Sequence, residues 1–310
     1  MAGTRRFTAP PAVPPGGRLA LVAPASPFDP SVLERGRQAL MDAGYRVTLA
    51  PALSQADRYL AAPDDVRANQ FIQALMEPDV HMVLSARGGY GCTRLLPLLK
   101  EREEELRALP PRLVCGFSDL TALHGFLQTT LGWRSIHGPV CTSYGSEPAP
   151  SRAHLHALMS GTAAGTVLQG RTAQGRGFVC APLLGGNLAV LAAMCGTPHF
   201  PDLDGCILAL EDVGERPYRL DRMLTQLCQA TQGLKGVLGV ALGQFSDCDD
   251  TAKGERGVDA VRQVLSGLPV PVVEDLPFGH VSPNLALPLG AVVCLDASNG
   301  TLRFLEEAVA

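Results

Sequence analysis

A serine two residues after a glycine, set between an apolar strand and an apolar helix, is the arrangement in this chain best suited to covalent chemistry. It reads Leu113-Val114-Cys115-Gly116-Phe117-Ser118-Asp119-Leu120-Thr121-Ala122-Leu123. A serine on a tight strand-to-helix turn presents its hydroxyl outward, and both the next backbone N–H and the helix N-terminus favour a developing oxyanion. Leu120 stands where the last glycine of G-x-S-x-G belongs, so the stretch departs from the standard hydrolase elbow. The competing reading makes Ser118 a helix cap, a common use of serine, and this stretch alone does not choose.

A second glycine-rich turn, Ser85-Ala86-Arg87-Gly88-Gly89-Tyr90-Gly91, follows an apolar run. Its glycines permit close backbone approach or positive φ. It lacks the lysine and spacing of a P-loop and is not G-x-G-x-x-G, so it argues weakly for a nucleotide. If Ser118 is a nucleophile, a backbone N–H here suits an oxyanion hole; taken in isolation it is an ordinary turn.

A serine nucleophile needs a base and a group to orient that base, both often distant in sequence. Seven histidines are available. His124 sits six residues along the helix from Ser118, rotated away from it. His81 falls in a strand, and His154 and His156 fall in an irregular stretch. His137, in Ile136-His137-Gly138-Pro139, and His280, in Gly279-His280-Val281-Ser282, occupy strand-end loops where reactive groups concentrate. The residues leave those two tied. For the carboxylate, the apolar strand Cys206 to Leu210 runs into Glu211, whereas Glu215 is explained by the helix start after it. Arg87, Arg216, Arg219 and Arg222 are candidates for binding a substrate carboxylate in bidentate fashion, with intrachain ion pairs an equal explanation. Cys115, a conceivable alternative nucleophile, lies inside the strand before the elbow and reads as packing.

These residues are strung along alternating elements. A strand at Leu19–Ala23 precedes a helix announced by Asp29 as N-cap and Pro30 in its first turn, closed by Gly44. Strands at 45–49, 80–84 and 113–115 then alternate with helices at 64–76 and 93–99. Such alternation means a doubly wound α/β sheet of parallel strands, with ligands bound beyond the strands' C-terminal edge. From 142 to 177 the pattern weakens into Ser, Pro, Ala and Gly, the expected linker. Apolar strands and helices then resume. The expected division is a leader over 1–17, a nucleophile domain over 18–141, a linker over 142–177 and a second α/β domain over 178–310.

Of the 310 residues 46% are hydrophobic and 18% charged, which suits two packed cores. A net charge of −4 offers no basic face for nucleic acid. Nine scattered cysteines show neither C-x-x-C pairs nor metal spacing, pointing to a reducing compartment. Arg5 and Arg6 are followed by a proline-rich stretch rather than a signal-peptide core, and no apolar run is long enough to cross a bilayer. Cytoplasmic residence without membrane contact is the expectation.

Together, Ala86-Arg87-Gly88-Gly89-Tyr90-Gly91, Gly116-Phe117-Ser118-Asp119-Leu120-Thr121, His137-Gly138-Pro139, Gly185-Gly186-Asn187-Leu188, Leu210-Glu211-Asp212 with Pro217-Tyr218-Arg219, and Gly279-His280 resemble the serine L,D-carboxypeptidases, including the microcin-immunity peptidases. The resemblance runs from about Leu19 to Leu305. It implies a flavodoxin-like N-terminal domain, a second α/β domain and a site in the cleft between them. It further implies Ser118 as nucleophile, His280 as general base, Glu211 as the orienting acid, and the Gly89 and Asp119 amides as oxyanion donors. No metal or organic cofactor is implied, and homodimers are. The implied reaction is release of the terminal D-alanine from a murein tetrapeptide in cell-wall peptide recycling. The alternative within the family cuts peptidyl-adenylate antibiotics, for which stacking aromatics are few, with one Trp133 and five tyrosines. The alternative outside it is a non-catalytic ligand-binding module, since a fold alone does not prove chemistry.

Overall fold

The computed structural model describes residues 6–310, so Arg5 of the expected leader lies outside the described residues. From residue 6 the expected leader packs against the rest of the chain. Phe7 and Val13 are buried, Thr8 bridges to Trp133, and the Val13 N–H donates to the Met159 carbonyl. Apolar side chains among the prolines anchor it.

The first sheet contains β1 (Arg18–Val22), β2 (Arg46–Leu49), β3 (Val80–Ser85), β4 (Leu113–Gly116) and β5 (Ser135–His137). These five pair in parallel in the order β2-β1-β3-β4-β5, the flavodoxin-like winding. The first connecting helix, Pro30–Asp42, starts as its residues dictate: Asp29 accepts the Ser31 and Val32 N–H groups, and Pro30 fills the first turn. The helix expected at 93–99 is a 3-10 turn, Cys92–Leu95, running into a helix over Leu96–Glu101.

Beyond it follow β6 (Val167–Gln169), β7 (Arg171–Gln174), β8 (Phe178–Asn187), β9 (Ile207–Val213), β10 (Gly239–Ser246), β11 (Val272–Glu274), β12 (Leu287–Leu289), β13 (Val292–Asp296) and β14 (Thr301–Phe304). The second sheet has a parallel centre, β8-β9-β10-β11, with antiparallel strands at both sides, giving the order β6-β14-β13-β8-β9-β10-β11-β7. Both sheets are covered by helices, so the mixed α/β class read from the alternation holds.

Two features depart from the sequence reading. Residues 142–177 are largely regular: a helix spans Ala149–Ser160, and β6 and β7 form opposite edges of the second sheet. The helix buries Leu155, Leu158 and Met159, an i, i+3, i+4 stripe that the surrounding Ser, Pro and Gly obscure. Second, β12, more than a hundred residues later in the chain, pairs antiparallel with β5 in the first sheet. The chain therefore returns to the first lobe immediately after the Gly279-His280 loop. Nothing local in Leu287-Pro288-Leu289 specifies that pairing.

The two loops at the winding's switch point, after β1 and after β3, are clamped by Arg67. Its guanidinium is wholly buried and donates to the carbonyls of Ala62 (2.9 Å), Gly91 (3.0 Å) and Pro24, and pairs with Asp64. Arg94, exposed, also pairs with Asp64. Removing a buried cation orphans three carbonyls, whereas an exposed pair contributes little. Arg67→Met is expected to cost at least about 3 kcal/mol in urea unfolding, and Arg94→Ala less than about 1 kcal/mol. Equal losses would contradict the clamp.

Candidate active site

Ser118 opens a 3-10 turn, Ser118–Leu120, that leads directly into the helix Thr121–Phe126. Its φ is +64°, a left-handed conformation costly for any residue with a Cβ. A capping serine sits in extended backbone and accepts an N–H. Ser118 does neither: Phe117 occupies the cap position, and among the described residues the Ser118 hydroxyl makes no hydrogen bond. Local helix formation thus does not account for the serine, and the strained turn leaves its hydroxyl unengaged.

The glycine-rich loop lies over this elbow. A Cβ on Gly88 would come within 3.0 Å of the Ser118 Cβ, so only glycine allows that approach without displacement. Gly89 has φ +108°, and a Cβ there would meet Ser26 Oγ at 2.4 Å. The loop is held by the Ser26 N–H donating to the Gly88 carbonyl (3.3 Å) and the Tyr90 N–H donating to Ser26 Oγ (3.0 Å). The Asp119 side chain faces away from the elbow and accepts the Cys92 N–H at 2.7 Å, buried and with its pKa raised by that burial. Among the described residues, neither the Gly89 nor the Asp119 N–H has an acceptor.

In the second lobe, Glu211 lies inside β9 rather than at its end, in register with Asn187 of β8, and is fully buried. His280 Nδ1–H donates to Glu211 Oε2 at 2.7 Å. Burial by itself raises the Glu211 pKa, but the facing imidazoles of His137 and His280 outweigh it and hold the carboxyl at about 2. Gly279 makes the approach possible: φ is +101°, and a Cβ would lie 2.8 Å from Glu211. The loop is braced in turn, since Asn284 Oδ1 accepts the Gly279 N–H and Glu147 accepts the Asn284 N–H.

The lobes meet here. The His280 ring lies 4.7 Å from the ring of Phe117, the residue before Ser118, and Thr121 Oγ1 accepts the Asn187 N–H at 2.9 Å. A cavity of about 290 Å³ opens between them, lined by Gly89, Tyr90, Ser118 and Asp119 from one side and Asn187 and Asp212 from the other. Asp212, its pKa raised to about 6 by burial and by the neighbouring Glu211 charge, accepts the Ala189 N–H and the Asn187 amide.

Of the expected residues, the structure joins Glu211 to His280 and sets Gly89, Asp119 and Ser118 around one cavity. It does not join Ser118 to His280 by a hydrogen bond, a contact that often tightens only with substrate bound. His137, tied with His280 on sequence, is wholly buried, and among the described residues neither ring nitrogen makes a hydrogen bond. His124, held neutral with its pKa lowered to about 3 by burial, bonds Ser135 and the Gly116 carbonyl. His81, His154 and His156 have structural partners. Cys115 is buried, which pushes its thiol pKa well up and leaves it packing. Among the arginines, Arg216 lies 3.9 Å from Asp250, Arg219 lies 3.4 Å from Glu215, Arg222 sits over the Tyr218 ring, and Arg87 donates to the Pro27 carbonyl. Sequence reasoning missed Arg67, Glu147 and Asn284, whose roles depend on contacts distant along the chain. Among the described residues, no group of three or more His, Cys, Asp and Glu side chains is arranged to hold a metal ion, and no helix is long and apolar enough to cross a membrane.

Comparison with known proteins bears on this geometry. Residues 19–138 match the family model for the LD-carboxypeptidase N-terminal domain, and residues 181–295 match that for its C-terminal domain. The murein tetrapeptide carboxypeptidase of Pseudomonas aeruginosa is 34% identical, over 92% of this chain and 95% of that protein. The crystal structure of muramoyltetrapeptide carboxypeptidase from Oxalobacter formigenes superposes with a TM-score of 0.82 at 33% identity, covering 94% of this chain and 99% of that one. The Microcin C7 self-immunity protein MccF of Escherichia coli is 24% identical over 92% of this chain and 91% of that protein. A solved MccF structure has the same fold, with a TM-score of 0.87 at 21% identity over 98% of this chain and 100% of that one.

Because Glu211 is held ionised below its ordinary 4.5, the stability it contributes is complete above pH 4.5 and is lost as pH falls toward about 2. Glu211→Gln should therefore flatten the loss of stability across that window. Urea unfolding of both proteins through the same pH series checks this; parallel curves would contradict it.

Proposed function

This chain belongs to the LD-carboxypeptidase family, and from that premise we propose that Ser118, His280 and Glu211 are its catalytic triad. The enzyme is a serine-type L,D-carboxypeptidase that releases the terminal D-alanine of murein tetrapeptide. The observation that carries the triad is the 2.7 Å hydrogen bond from His280 to buried Glu211, alongside a serine held at positive φ whose hydroxyl makes no hydrogen bond among the described residues.

Ser118 attacks the carbonyl of the bond joining the L-configured centre to D-alanine, and His280 Nε2 takes the hydroxyl proton. Glu211 accepts Nδ1–H, fixes the tautomer that leaves Nε2 free, and stabilises the imidazolium. The tetrahedral oxyanion is held by the Gly89 and Asp119 amides, which no other acceptor among the described residues claims. His280 then protonates the departing amine, and water activated by the same imidazole hydrolyses the acyl-enzyme, returning Ser118 its proton.

One observation favours the second reading, cleavage of a peptidyl-adenylate. Tyr90, which lines the cavity, pairs with Tyr59 at 5.8 Å, and both rings are exposed and available to stack on a base. Trp133, by contrast, is buried.

We further read the working form as a cytoplasmic homodimer serving cell-wall peptide recycling; nine unbridged cysteines support a reducing compartment. Sedimentation showing only monomer at assay concentration would count against the dimer.

Ser118→Ala should lower D-alanine release at least about 10³-fold with unchanged unfolding. Gly89→Ala, whose Cβ would collide with Ser26, should lower kcat about 10²- to 10³-fold by moving one oxyanion donor. Product masses from parallel incubations with murein tetrapeptide and a peptidyl-adenylate analogue separate the two substrate readings. Undiminished turnover by Ser118→Ala would end the hydrolytic assignment.

A further inference from the structure

Glu211 spends one carboxylate oxygen on His280, and its other, Oε1, has no hydrogen-bond partner among the described residues. Facing it across the lobe boundary is His137, the last residue of β5, wholly buried and with neither ring nitrogen in a hydrogen bond among the described residues. His137 Nε2 lies 3.8 Å from Glu211 Oε1. That is too long for a hydrogen bond and too short to admit a bridging water.

Among the described residues, no other group hydrogen-bonds either atom. The Phe117 and Phe278 rings stand edge-on to the imidazole, at 6.0 and 6.2 Å. His124, the remaining titratable ring nearby at 6.3 Å, spends both nitrogens on Ser135 and the Gly116 carbonyl. Asp212, next to Glu211, takes its hydrogens from Asn187, Ala189 and Val213. A buried donor and a buried carboxylate oxygen, each left unmade, favour closing a gap of about 1 Å.

We propose that His137 is a positioning residue: as the neutral Nε2–H tautomer it donates to Glu211 Oε1, so that the carboxylate is gripped from both sides and its other oxygen is aimed at His280. The inference rests on the Ser118-His280-Glu211 reading and deepens it. His137 belongs to the first sheet and Glu211 to the second, so the contact ties the orientation of the base to the mutual approach of the lobes. His137 touches no substrate and moves no proton; it acts through Glu211.

The test compares His137→Phe, which fills the space without a donor, with His137→Gln, whose amide nitrogen reaches the same place. On murein tetrapeptide, His137→Phe should lose about tenfold or more in kcat, the scale of a hydrogen bond to a charged group, with KM changed less than about twofold. His137→Gln should recover most of that loss. The downfield proton resonance of the His280 Nδ1–H should shift in His137→Phe and return toward its original position in His137→Gln. Wild-type kcat and an unmoved resonance in His137→Phe would overturn the proposal, as would a folded His137→Gln no better than His137→Phe. The unsubstituted protein supplies a check independent of folding: ring nitrogen shifts should report His137 as the Nε2–H tautomer, and the Nδ1–H tautomer or an imidazolium would overturn it. Full activity in His137→Phe beside inactive Ser118→Ala removes only the role of His137. Activity in Ser118→Ala removes the reading beneath it.

Discussion

A carboxylate with no exposure to water, bonded at 2.7 Å to an imidazole from a distant loop, is the interaction on which the arrangement of this molecule turns. Burying a charge is expensive unless it is paired, so Glu211 is compatible with the interior of β9 only while cationic or hydrogen-donating groups face it. The second lobe meets this demand with a loop whose glycine lets the backbone come within touching distance of the carboxylate. The surrounding braces, Asn284 on the Gly279 N–H and Glu147 on Asn284, keep that loop in place. Polar groups that look incidental along the chain are thus a connected support for one imidazole.

The first lobe contributes the complementary device. A flavodoxin-like sheet puts the loops after β1 and β3 side by side at its switch point, and the elbow after β4 next to them. Ser26, Arg67 and the glycines hold these loops so closely that Gly88 all but touches Ser118. Backbone amides fixed in this way lose little freedom when a charge develops in front of them, which is why rigid turns make effective oxyanion sites.

The lobes are interlaced rather than merely adjacent. β12 completes the first sheet from a segment that follows the His280 loop, and residues 149–174 supply a helix and both edge strands between the lobes in sequence. The chain on either side of His280 is therefore anchored to different sheets. This limits how far the imidazole can drift from the elbow that lines the cavity between the lobes.

Much of this was legible in the residues. Alternating apolar runs, the Asp29-Pro30 helix start and the helix at 64–76 follow from local propensity and periodicity, which act over a few residues. The Gly116-Phe117-Ser118 elbow and the Gly88-Gly89 turn also announced themselves, because their geometry is imposed locally by glycine and by the strand-to-helix transition. What composition and spacing left open was which of His137 and His280 hydrogen-bonds Glu211, the burial of Glu211, the clamp made by Arg67 and the return of 287–289 to the first sheet. Resemblance selected His280 without giving a reason. Each of these depends on residues 20 to 150 positions apart meeting in space, and the energy that decides them, pairing a buried charge or completing a sheet edge, exists only once the two sheets have come together.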